Sequence, residues 1–169
     1  MPARASFSAA RPLRYMDRYV TVTQGETFYI TEALATLEGM EKGPAGNTSL
    51  TAAFSLAQEL PEDAIIVAQE TEYTGAGKNI TPQLSFARKH GIELKFGDPA
   101  EEVPGKNIIF PARPDMLKAR DLDMDHMRHS LIRHTVGDIP AEELEEVDLQ
   151  FLADETMTDI AYVKQALGL

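Results

Sequence analysis

The reading of the fold turns on Gly43–Asn79, GPAGNTSLTAAFSLAQELPEDAIIVAQETEYTGAGKN. Gly43, Pro44 and Gly46 make a tight loop. Asn47, Thr48 and Ser49 then lead straight into TSLTAAFSLAQEL, a helix of small residues that can pack closely and that Pro61 ends. AIIVAQ, Ala64–Gln69, is a continuous apolar run of strand length, the pattern of a central parallel strand. A second loop follows with Gly75 and Gly77. A helix and a strand bracketed by two glycine loops predict part of an open α/β sheet, with both loops on the rim where such sheets bind ligands.

Outward from this stretch the pattern extends in both directions. Arg18–Gln24, RYVTVTQ, alternates and is β-branched, which predicts a short strand or extended arm. TFYITEALATLEGME has helical spacing, with Gly39 placed to close it. On the other side, TPQLSFARKHG predicts a helix with Thr81 as N-cap, Pro82 at its first position and Gly91 at its end. IELKFG and NIIFP predict two further strands, joined by the loop DPAEEVPGK. From about Asp115 strand signals vanish, and four short acidic helices are expected. Residues 138–169 carry nine acids against the one base Lys164.

The 169 residues suit one domain with a real core. The absence of cysteine excludes disulfides, thiolate metal sites and a cysteine nucleophile, and it fits a reducing, cytoplasmic setting. No apolar run reaches membrane-spanning length, so no membrane partner is expected. The net charge of −11 divides into +3 over residues 1–18 and −14 over the rest, and so acidic a body argues against nucleic acid. The start, with Arg4, Arg11, Arg14 and Arg18, superficially resembles an organelle transit peptide; a surface-hugging arm is the plainer reading.

Three other motifs weaken on inspection. GAGK is not a phosphate loop, because that pattern needs glycine where Glu72 stands and Ser or Thr where Asn79 stands. Asp121, Asp123 and Asp125 begin like a calcium loop, but His126 holds its glycine position and Ile132 its closing glutamate. An acidic first helix turn explains them better, and His126, His129 and His134 have no ligand spacing, so no metal is expected. DLQFLADETMTDIAYVKQALGL has helix-turn-helix spacing, yet Met157 stands at the turn and Lys164 is the one base. A helical packing module is expected there rather than a DNA reader.

The rim chemistry is more specific. The first loop opens a helix N-terminus, where free N–H groups and the dipole favour an anion or acceptor. EALATLEGMEKGPAGNTSLTAAFSLAQELPEDAIIVAQETEYTGAGKN resembles the C-terminal part of the fold-type II pyridoxal-phosphate enzymes, such as cysteine synthase, cystathionine β-synthase and threonine synthase. The likeness covers nearly the whole chain, Ser6 to Leu169. VTVTQGETFYITEALATLEG and GDPAEEVPGKNIIFP narrow it to a thiolase branch of anaerobic ornithine breakdown. That branch joins or separates D-alanine and an acetyl group on coenzyme A, with 2-amino-4-oxopentanoate as the other partner.

The resemblance implies a partial parallel sheet of the tryptophan synthase β-like type, followed by a short all-helical tail. It divides the chain into an arm at 1–24, the C-terminal part of the cofactor domain at 25–114, and the acidic tail at 115–169. It implies pyridoxal phosphate near Gly43, Ala45, Gly46, Asn47, Thr48, Ser49, Glu70 and Thr71, with Glu72, Tyr73 and Lys78 on the same rim. The family's lysine for the cofactor lies in an N-terminal half not present here, and Lys78 is misplaced for it. No catalytic residue is therefore assigned, and the chain alone is expected to be inactive. Ala45 falls where the family has a Ser or Thr for the pyridine nitrogen; Thr48, Ser49, Glu70 and Thr71 all stand as replacements. The partners implied are the missing half, a small α subunit, an amino acid and coenzyme A. A narrow sheet with exposed apolar edges also predicts a homo-oligomer. The rival expectation is a non-catalytic module of the same fold that docks a partner through the acidic tail.

Overall fold

The computed structural model describes residues 13–70 and 80–169. It divides into two compact units, Val20–Arg120 and a second built from Asp121–Leu169 with the residues up to Tyr19.

In the first unit, helix α1 spans Gln24–Glu38. Thr23 and Glu26 form a reciprocal capping box at its start, and Gly39 closes it in the left-handed region at φ 66°, as the sequence predicts. Before it lies the two-residue strand β1, Val20–Thr21. Helix α2, Asn47–Ala57, follows the first glycine loop and packs on α1. Helix α3 is Thr81–Lys89, with Ile80 rather than Thr81 at the capping position. Strands β2, Glu93–Gly97, and β3, Asn107–Pro111, pair in parallel, Glu93 opposite Asn107 and Gly97 opposite Pro111. α1 lies against β3. Phe28, Ile80, Ala87 and Ile108 form the buried centre, joined by Leu84, Ile92, Leu94 and Phe110.

Ala64–Gln69 departs from expectation. Its apolar pattern predicts a central parallel strand, but among the described residues it belongs to neither ladder. Ile65 and Val67 are each 91% exposed. Sequence pattern sets the appetite for burial, but a strand exists only where another strand meets its backbone, and among the described residues none meets this one.

The second unit is helical. Helix α4, Met124–Val136, follows Arg120–Asp121 (β4) and is capped by Asp123, whose carboxylate accepts from the N–H groups of Asp125 and His126 at 2.9 and 3.1 Å. Helices α5, Glu146–Thr156, and α6, Ile160–Leu167, complete it. Ile132, Val136, Leu149, Leu152, Ala153 and Val163 form its core, and the 3-10 turn bearing Leu13 packs with Met127 and Leu131. Ala153 and Val163, placed as a helix-turn-helix wants, are both fully buried. Met157 ends α5 at φ 55°, a left-handed position that suits glycine. Its side chain is 65% exposed, so little packing is lost on removal. Met157→Gly is expected to raise stability by about 0.5–1 kcal/mol, read as a higher urea midpoint at unchanged slope; a lower midpoint would contradict it.

No helix among the described residues is long and apolar enough to cross a membrane.

Candidate functional site

The N-terminus of α2 gathers most of the residues singled out in the sequence. Gly43 and Gly46 are buried in the loop, and the Asn47 N–H donates to the Gly43 carbonyl at 3.3 Å. Ala45 is exposed and accepts from the Thr48 N–H at 3.4 Å. The capping position is Gly46, with no side-chain cap. Asn47 therefore does not serve as a cap. Its side chain turns inward, fully buried, and donates through Nδ2 to Thr31 Oγ1 at 3.0 Å. Thr31 in turn donates to the Thr27 carbonyl at 2.8 Å, and Thr51 to the Asn47 carbonyl at 2.7 Å. These buried threonines of α1 and α2 let two helices meet through hydroxyls that satisfy their own backbone.

Ser49 connects this loop to the end of the exposed segment. Its Oγ donates to the Gln69 carbonyl at 2.6 Å and lies 3.3 Å from the Gly46 carbonyl. That contact brings Gln69, and with it Glu70, beside α2. Two acceptors here are buried and have no hydrogen-bond partner among the described residues: Asn47 Oδ1 and Glu70 Oε1. A buried carboxylate oxygen without a donor is costly, and none of the described residues supplies one to Glu70. Thr48 is exposed. Thr71, together with Glu72, Tyr73 and Lys78 of the second glycine loop, lies outside the described residues.

The neighbouring scaffold rests on two carboxylates that sequence reasoning passed over. Glu26, fully buried, accepts from the Thr23 and Lys118 N–H groups at 2.6 and 2.9 Å and pairs with Arg120 at 3.0 Å. Glu102 accepts from the N–H groups of Gln24, Gly25 and Ile109 at 2.9–3.0 Å. The spacing Thr-Gln-Gly-Glu was a visible capping-box signal for the first; nothing local marks the second. Ser55 bridges α2 to the chain at 117–119, donating to the Leu117 carbonyl and accepting from the Ala119 N–H. An apolar depression of about 450 Å³ lies elsewhere, lined by Pro82, Phe86, Ile92 and Ile108 among others.

In the helical unit Asp123, Asp125 and His129 have partners within the fold. The Arg128 guanidinium hydrogen-bonds Asp125 and holds its carboxyl below the usual range. Burial, then the Asp125 charge, pushes the Tyr162 hydroxyl up, and His129 stacks on that ring. Among the described residues no group of three or more His, Asp or Glu is placed to hold a metal.

By class, the chain is an α/β unit with a small parallel ladder, accompanied by a helical unit that holds the last residues of the chain. Comparison with characterised proteins is narrower. The chain is 62% identical over 160 residues to the 2-amino-4-ketopentanoate thiolase beta subunit of Acetoanaerobium sticklandii. A second protein of that name, from an unknown prokaryotic organism, is 55% identical over 160 residues. Each alignment covers 95% of this chain and 34% of the relative, so the chain spans about a third of their length. No protein-family model and no solved structure matches.

Proposed function

We propose that the chain is the C-terminal portion of the β subunit of a pyridoxal-phosphate-dependent 2-amino-4-ketopentanoate thiolase, working in the cytoplasm with an α subunit and inactive by itself. The observation that carries this reading is 62% identity across 95% of the chain. The bound cofactor would supply an electron sink for a carbanion formed on the amino acid; coenzyme A would carry the acetyl group.

The residues present fit that group. The buried loop at Gly43 and Gly46 with exposed Ala45 offers backbone to a planar ring edge, and the N-terminus of α2 favours an acceptor beside it. Among the candidates for the pyridine nitrogen, Ala45 has no hydroxyl and Ser49 already donates to the Gln69 carbonyl. Glu70 has a buried oxygen without a donor among the described residues. Its carboxylate would hold a proton on the ring nitrogen, which strengthens the sink. Asn47 Oδ1 is a second buried acceptor, and Thr48 and Thr71 complete the set.

The test is reconstitution. The chain is co-expressed with the remainder of the Acetoanaerobium sticklandii β subunit and its α subunit, then assayed for cofactor absorption and for coenzyme A release from acetyl-coenzyme A with D-alanine. Both should appear. Glu70→Gln should keep the cofactor, shift its absorption band and lower kcat roughly 100-fold, the scale of losing one preorganised charge-stabilising group. A reconstituted complex that takes up no cofactor would sink the proposal in favour of a docking module.

A further inference from the structure

Ala64–Gln69 is held at both ends, and no strand among the described residues pairs with it. The Ala64 N–H donates to the Pro61 carbonyl at 3.0 Å, and the Gln69 carbonyl accepts from Ser49 at 2.6 Å. Between these anchors Ile65 and Val67 are each 91% exposed and Ile66 37% exposed. Alternate residues of an extended chain face opposite ways, so in a strand the two outer residues and Ile66 would make both faces apolar. Such a run suits a strand buried on both faces and flanked on both edges.

The described residues provide no such neighbours. β2 and β3 make a two-stranded parallel ladder, which is narrow for a fold of this kind, and one side of β3 is closed by Glu102 and by the start of α1 at Gly25. A second copy of the chain fits poorly. Antiparallel self-pairing of Ala64 with Gln69 would set Asp63 of each copy against Glu70 of the other, and like charges opposite one another oppose pairing. It would also cover one edge and leave the other open. The relatives, in contrast, carry about two-thirds of their length outside the aligned region.

We propose that Ala64–Gln69 is the docking strand for the rest of the β subunit, which pairs with it on both edges and so completes the sheet beside the loop of Gly43–Ser49. This rests on the reading of the chain as part of a larger subunit, and it adds which segment receives the remainder. Docking there would also fix Glu70, one residue on.

The experiment co-expresses the full chain with the part of the Acetoanaerobium sticklandii β subunit outside the aligned third. Hydrogen exchange of residues 65–69 is compared in the complex and in the chain alone. A stable complex with exchange at these amides slowed at least about 100-fold is expected. Ile65→Lys with Val67→Lys should abolish the complex while leaving the chain's circular dichroism unchanged, whereas the exposed Val147→Lys should have no effect. A complex without protection at 65–69 overturns the docking strand and leaves the larger-subunit reading standing. Absence of any complex with the unsubstituted chain overturns both. Protection at 65–69 in the chain alone, with self-association that the double substitution abolishes, overturns the assigned partner in favour of a second copy.

Discussion

Glu26→Ala is expected to destabilise the protein by about 3–5 kcal/mol, the scale of breaking a buried ion pair by removing one partner. Glu26 is fully buried, and its two oxygens serve three donors. Oε2 closes the capping box on the Thr23 N–H and pairs with Arg120; Oε1 takes the Lys118 N–H. Alanine leaves two backbone N–H groups without an acceptor, at about 1–3 kcal/mol each where water cannot enter. The share due to Arg120 is smaller, because that side chain is one-third exposed and can turn to solvent. Glu26→Gln separates packing from acceptor capacity. It keeps the volume, and with its amide oxygen at the Oε2 position it still accepts from Thr23 and Arg120, but its NH₂ then faces the Lys118 N–H, so it should recover only part of the loss. Urea unfolding of both variants decides the matter, with the exposed Glu38→Ala as the reference. An alanine variant within about 1 kcal/mol of wild type would show that water replaces the carboxylate.

Glu26 also shows where sequence legibility stops. Its capping role is written locally, three residues after Thr23. Its bonds to Lys118 and Arg120 span more than ninety residues, and no periodicity reports them. The elements with local punctuation were all readable. Gly39 and Gly91 end their helices in positive φ, and Asp123 caps α4 as an acidic first turn should. Three of the four helices expected after Asp115 form, through charge and spacing, whereas AEELEEV gives only a 3-10 turn over Ala141–Glu143 before α5 begins at Glu146. Ala64–Gln69 was legible as an apolar strand candidate, yet pairing is a property of two segments and cannot be read from one. The site divides the same way. The glycine loop and its helix start were visible, with Asn47–Ser49 open to capping or to ligand. That Asn47 would turn inward to Thr31, that Ser49 would be taken by Gln69, and that Glu70 would bury an oxygen without a donor among the described residues follow from tertiary placement alone.

Gly25→Ala sets helix propensity against contact, and contact should win. Gly25 lies in the first turn of α1 with ordinary negative φ, so propensity alone predicts a gain of up to about 1 kcal/mol. A Cβ at this position, however, would lie 1.9 Å from the Ile109 carbonyl oxygen, 2.4 Å from its carbon and 2.9 Å from Glu102 Oε2. The first two are backbone atoms of strand β3, whose Ile109 is fully buried. Relief requires α1 to withdraw by more than 1 Å, given that real Cβ contacts do not fall below 3.0 Å. Withdrawal would break the bonds that join Glu102 to Gln24, Gly25 and Ile109, and would loosen Phe28 from Ile108 and Phe110. A loss of about 3 kcal/mol or more is expected, seen as a lower melting temperature and urea midpoint. Combining it with Glu102→Ala tells which atom obstructs. Because the strand backbone is the obstacle, the double variant should show no rescue. Recovery in the double variant would shift the blame to the carboxylate, and a stabilised Gly25→Ala would mean that α1 and β3 do not approach this closely in solution.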